Sequence, residues 1–138
     1  MGHEPDDHRQ HEMPSLDDLA LMAELALATM PPMLATRIGN VCFLVQDWPE
    51  DETLRSLGIR SRLGLLGLYR GTPLIARSVM QISRFPDHIF LYRQPIIDHA
   101  RRTGIDLPRL VRHVLIHEIA HHFGYSDADI AALEARPD

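Results

Sequence analysis

Residues His117 to Asp127 read H-E-x-x-H-x-x-G-x-x-D and lie toward the end of the longest helical pattern in the chain. Two histidines four apart on a helix leave it from one face, about one turn from each other. The spacing therefore requires a helix through His121 that stops near Gly124, and it aims two imidazoles at one point. That pair can clamp a zinc ion, with Glu118 between them as general base for a water on the metal.

A catalytic zinc takes three protein ligands and keeps one position open. The chain must then turn back after the helix to bring in the third. Gly124 permits the left-handed backbone such a reversal commonly uses, and Asp127 follows it with a carboxylate at the start of the next helix. His117, His121 and Asp127 are the candidate ligands. Glu118, rotated about 100° from His117 on the helix, can flank the metal without binding it. The plainer reading is a polar helix face followed by a capped turn. A bare H-E-x-x-H could arise by chance among nine histidines, but the added glycine and aspartate remove most chance matches. A purely structural zinc would be closed by four protein ligands.

His122 points away from the His117/His121 face and is not counted. His113 shares that face, four residues earlier, and reads as an ordinary partly buried histidine or a cleft-lining residue. Tyr69, Tyr92 and Tyr125 could each donate to a developing oxyanion, although packing is the simpler role for all three. Trp48 is most simply a loop anchor.

The rest of the pattern is mixed. Ser15 with Asp18 caps a helix from Leu16 to about Met30, which Pro31 and Pro32 end. Its apolar positions run nearly all the way round, so other elements should cover it. Residues 41–46 read as a buried strand holding Cys42, and 49–57 as a short helix closed by Gly58. Residues 63–70 read as a strand and 74–84 as strand or irregular chain. A clearer strand covers 88–93, and a helix about 95–103 stops near Gly104. The main helix starts at Asp106 as N-cap with Pro108 in its first turn, and a last helix near 127–135 is capped by Ser126 with Asp129.

Length bounds the chain to a single domain, expected over 15–138, behind a polar tail over 1–14 expected to be mobile. The net charge of −5 and the lack of a basic run argue against nucleic acid as partner. The lone Cys42 gives no oxidising-compartment signature and reads as a small buried hydrophobe. With no apolar run of membrane-span length and no signal-like start, the expectation is a cytoplasmic protein without membrane contact.

From Leu63 to Asp127 the chain resembles the small bacterial zincin-like metallopeptidases. The resemblance is carried by Leu66–Leu74, Pro86–Arg93, Pro95-Ile96 and the whole His117–Asp127 motif. It implies an α+β fold: a compact, minimal zincin-like domain with a small twisted mixed sheet packed against the H-E-x-x-H helix and further helices. It also implies Zn²⁺ as cofactor, a peptide or protein as substrate, and an edge strand along the cleft, placed at 88–93. The larger metzincins are similar in motif but have a histidine where Asp127 stands. Two rival readings differ in class. Bacterial zinc endoribonucleases of ribosomal RNA maturation have a similar pattern, against which Glu118, Asp127 and the acidic charge count. A zinc-containing adaptor would bind peptide without cutting it. The sequence leaves the oligomeric state open.

Overall fold

A computed structural model describes residues 13–36, 38, 41–71 and 87–135. Most of the polar tail, the segment 74–84 and Pro86 lie outside the described residues.

Helix α1 spans Leu16–Ala28, and its start is the reciprocal capping box read from the sequence: Ser15 Oγ accepts from the Asp18 amide at 3.0 Å, and Asp18 accepts from the Ser15 amide at 2.8 Å. A one-turn helix α2 follows at Pro32–Ala35, since proline is tolerated in a first turn. Strand β1 is Val41–Gln46, helix α3 Asp51–Leu57, strand β2 Gly67–Arg70 and strand β3 Asp87–Tyr92. Helices α4 (Arg93–Thr103), α5 (Leu107–His122) and α6 (Asp127–Ala135) complete the order. Gly58 and Gly104 end α3 and α4 with positive φ. The result is an α+β fold with a three-stranded mixed sheet.

Strand order is β1-β3-β2, with β1 parallel and β2 antiparallel to β3. This corrects the placement of the edge strand: 87–92 is the central strand, and among the described residues β2 is the edge that lies along α5. β3 is covered on both faces, because Ile89 and Leu91 on one face and Phe90 and Tyr92 on the other are all apolar.

The sheet separates two apolar clusters. Ile89, Leu91 and Tyr69 face the main core, where α5 supplies Leu110, Val111, Val114, Leu115, Ile116, Ile119 and Ala120. Leu19 and Ala23 of α1, Ile96 of α4 and Ile130 of α6 close around it. On the other face Tyr92 packs with Leu54 and Leu65.

Three further expectations are corrected. Among the described residues β1 is an edge strand with alternating burial, so Cys42 is exposed instead of buried, and Leu44 with it. α1 is buried along Leu19, Ala23 and Ala26, with Met22 and Leu27 partly buried beside them. Leu21 and Leu25 lie on its far side, 56% and 62% exposed, because no described element packs there. The strand read over 63–70 is shorter, with a 3₁₀ turn at Arg62–Gly64 before β2.

Candidate metal centre

The site is built where α5 turns into α6. Gly124, at φ +85°, closes α5: its amide donates to His121 O at 3.0 Å, and the Tyr125 amide donates to Ala120 O at 2.9 Å. These two bonds are the Schellman pattern, which satisfies the last carbonyls and reverses the chain. Ser126 then caps α6, its Oγ accepting from the Asp129 amide and its own amide donating to Asp129, both at 3.1 Å. Turn and cap together place Asp127 as the first residue of α6, beside the end of α5.

Asp127 Oδ1 lies 2.9 Å from His121 Nε2. Two ligands of a tetrahedral zinc at ~2.0–2.1 Å stand roughly 3.3 Å apart, so this pair already has close to the spacing an ion needs. The His117 and His121 rings are 5.5 Å apart, centre to centre. His117 is not drawn fully toward Asp127; its Nε2 lies 4.0 Å from Glu134 Oε1 on α6. The donor set of two imidazoles and carboxylate oxygen fits zinc, and side chains of Asp127 (86% exposed) and His121 (50%) leave it open to water and substrate.

Glu134 was not anticipated from the sequence. Its signal was present: it stands seven residues after Asp127, two helical turns on, and so shares a side of α6 with it. Its Oε2 lies 2.6 Å from His113 Nδ1. His113 therefore lines the site, with its ring 4.3 Å from that of His117.

Burial lowers the pKa of His117, and neighbouring His113 lowers it further, against the pull of Glu134. A neutral ring is what a metal ligand requires. Glu118 sits on the adjacent face of α5 and turns toward β2. Burial raises its pKa above the usual carboxylate value, while His121 and the Tyr69 backbone amide act the other way by stabilising the charge. The register explains that amide. The Tyr92 amide donates to Leu66 O at 3.0 Å, and hydrogen-bonded pairs alternate along an antiparallel ladder. The amide of Tyr69 therefore points away from β3, toward α5.

His122, as expected, faces away from the ligand row. It stacks on Tyr69 at 4.0 Å. The Tyr69 hydroxyl donates to buried Asp87 at 2.5 Å, which makes this tyrosine a packing and hydrogen-bonding residue of the sheet. Tyr92 is buried under the opposite face, and Tyr125 packs at the rim of the core. Arg62 covers the Trp48 ring at 3.6 Å, which fits the anchor role.

The sequence matches the model of the zincin-like metallopeptidase family over residues 38–136. The chain belongs to that family. No curated protein is similar enough to the chain to count as a match. Within the family the match takes in every element from β1 to α6, including the whole of the α5–α6 turn. Among the described residues no helix is long and apolar enough to cross a membrane.

Proposed function

We propose that this zincin-like chain is a zinc-dependent peptidase, with His117, His121 and Asp127 as metal ligands and Glu118 as general base. The observation that carries the reading is the division of α5 into two working faces. One carries the histidine row, with His121 paired to Asp127, and the other presents a half-buried glutamate to the edge of the sheet.

Zinc, when bound, brings the pKa of a ligand water to about 7 and polarises a carbonyl oxygen. Glu118 takes the proton of the attacking water on its carboxylate and passes it to the nitrogen of the leaving amine, so peptide and water become acid and amine. Its raised pKa makes it a better base than a solvated carboxylate. The Tyr69 amide holds the carboxylate in one orientation through both transfers. On the outer side of β2 there is no further strand among the described residues, and an extended peptide can align there on main-chain groups of β2 other than the Tyr69 amide, which Glu118 takes.

The test is a mass-spectrometric screen of zinc-loaded protein against a diverse peptide mixture, with Glu118→Gln alongside. Cleavage by the parent and none by the variant supports the reading. A variant as active as the parent removes Glu118 as the base. Peptide retention without cleavage by the parent, at one zinc per chain, favours an adaptor.

A further inference from the structure

The histidine row on α5 continues one turn past the site proposed above. His113, His117 and His121 occupy i, i+4 and i+8, and α6 returns alongside them with Asp127 and Glu134 on one side. The two ends pair: His121 with Asp127 at 2.9 Å, and His113 with Glu134 at 2.6 Å. His117 lies between. Donor atoms of His113, His117 and Glu134 come within 4.8 Å of one another, and among the described residues no other trio of His, Cys, Asp or Glu closes to that span.

We propose that His113, His117 and Glu134 form a second transition-metal position that overlaps the His117/His121/Asp127 position at His117. Two imidazoles and a carboxylate suit zinc, and equally cobalt, nickel or copper. The two oxygens of Glu134 already face different histidines, Oε2 toward His113 and Oε1 toward His117. A simple His113–Glu134 ion pair would not require the second of these. With the His113 side chain 48% exposed, an ion can enter from solvent without opening the core.

Sharing His117 makes the two positions compete, because its Nε2 bonds one ion at a time. An ion with three protein ligands at one position leaves two at the other. Loss of His121 and Asp127 therefore leaves His113, His117 and Glu134 as the complete position, while metal in excess can add a second ion to the parent only on two protein ligands, and so more weakly. The inference rests on the peptidase reading only through that shared residue.

The experiment compares the full chain with two double variants, His121→Ala with Asp127→Ala and His113→Ala with Glu134→Gln, and with the quadruple variant that combines them. Each is titrated with Co²⁺ and followed by its visible spectrum, and zinc affinity is read by competition with a coloured chelator. Circular dichroism confirms that each is folded. Each double variant is expected to hold one ion, with different cobalt bands, and the quadruple variant none. No uptake by a folded His121→Ala/Asp127→Ala chain, under conditions that fill the parent, overturns the second position. Loss of the ion from His113→Ala/Glu134→Gln alone supports the His113/His117/Glu134 position and removes the His117/His121/Asp127 position instead. Should the first double variant fail to fold, the parent is titrated past one equivalent. A weaker second equivalent that Glu134→Gln abolishes supports the proposal, and one that survives Glu134→Gln overturns it.

Discussion

The Cγ1 methyl of Val114 lies 2.7 Å from the point where a Cβ would stand on Gly67. Only a glycine lets β2 lie this close to α5. From that contact strand and helix run in step, since two strand residues advance about 6.6 Å and four helix residues about 6 Å. Gly67 meets Val114, the Tyr69 amide meets Glu118, and Gly71 meets His122. The edge of the sheet is thereby laid along the face of α5 that carries the proposed base.

Gly67→Ala should push β2 outward from the helix. The added carbon also approaches Phe90 O at 3.2 Å, so neither side gives easily. Overpacking of this kind costs about 1–3 kcal/mol. The expected result is a lower midpoint in thermal or urea unfolding, together with reduced hydrolysis because the Tyr69 amide moves from Glu118. A variant with unchanged stability would show that β2 can shift freely.

Tyr69→Phe separates structure from catalysis at the same strand. It keeps the ring on His122 and the main-chain amide on Glu118, and it removes the hydroxyl bonded to Asp87. Weakening the hydrogen bonding of a buried carboxylate costs about 1–3 kcal/mol. Unfolding should therefore come earlier while kcat stays within a few-fold of the parent. A large fall in kcat at unchanged stability would instead make the phenol an oxyanion donor.

Local chemistry was legible in the sequence, and contacts between distant elements were not. The capping boxes at Ser15/Asp18 and Ser126/Asp129, and the stops at Gly58, Gly104 and Gly124, depend on residues within one turn and can be read directly. The order of strands depends on packing. An apolar run such as 88–93 fits an edge or a centre equally until its neighbours are known, and 41–46 looks buried until it proves to be the edge that exposes Cys42. Within the candidate site, Asp127 was reachable because one turn separates it from His121. Glu134 was not, because its approach to His113 needs the crossing of α6 back along α5.

Asp127→Ala should weaken zinc binding without unfolding the chain. The Asp127 side chain is 86% exposed and its pairing with His121 is at the surface, so the metal-free protein should lose less than about 1 kcal/mol. Zinc affinity, measured by chelator competition, should fall by an order of magnitude or more. Equal affinity in parent and variant would place the third ligand elsewhere, with Glu134 the first residue to examine.

The metal-free protein should be stabilised by Glu118→Gln, in a pH-dependent way. Burial raises the Glu118 pKa in the folded chain above its unfolded value. Between those two values the folded state binds more proton than the unfolded one, and stability from this group is lost as pH rises through the folded pKa. At neutral pH the parent therefore carries the cost of a half-buried charge that the variant lacks, while glutamine can still accept from the Tyr69 amide. The gain in melting temperature should be present at pH 7, shrink as pH falls through the raised folded pKa, and be gone below the ordinary carboxylate value of about 4.3, where both side chains are neutral. A variant less stable than the parent at pH 7 would mean that the His121 and Tyr69 interactions outweigh desolvation, and Glu118 would then be a weaker base than proposed.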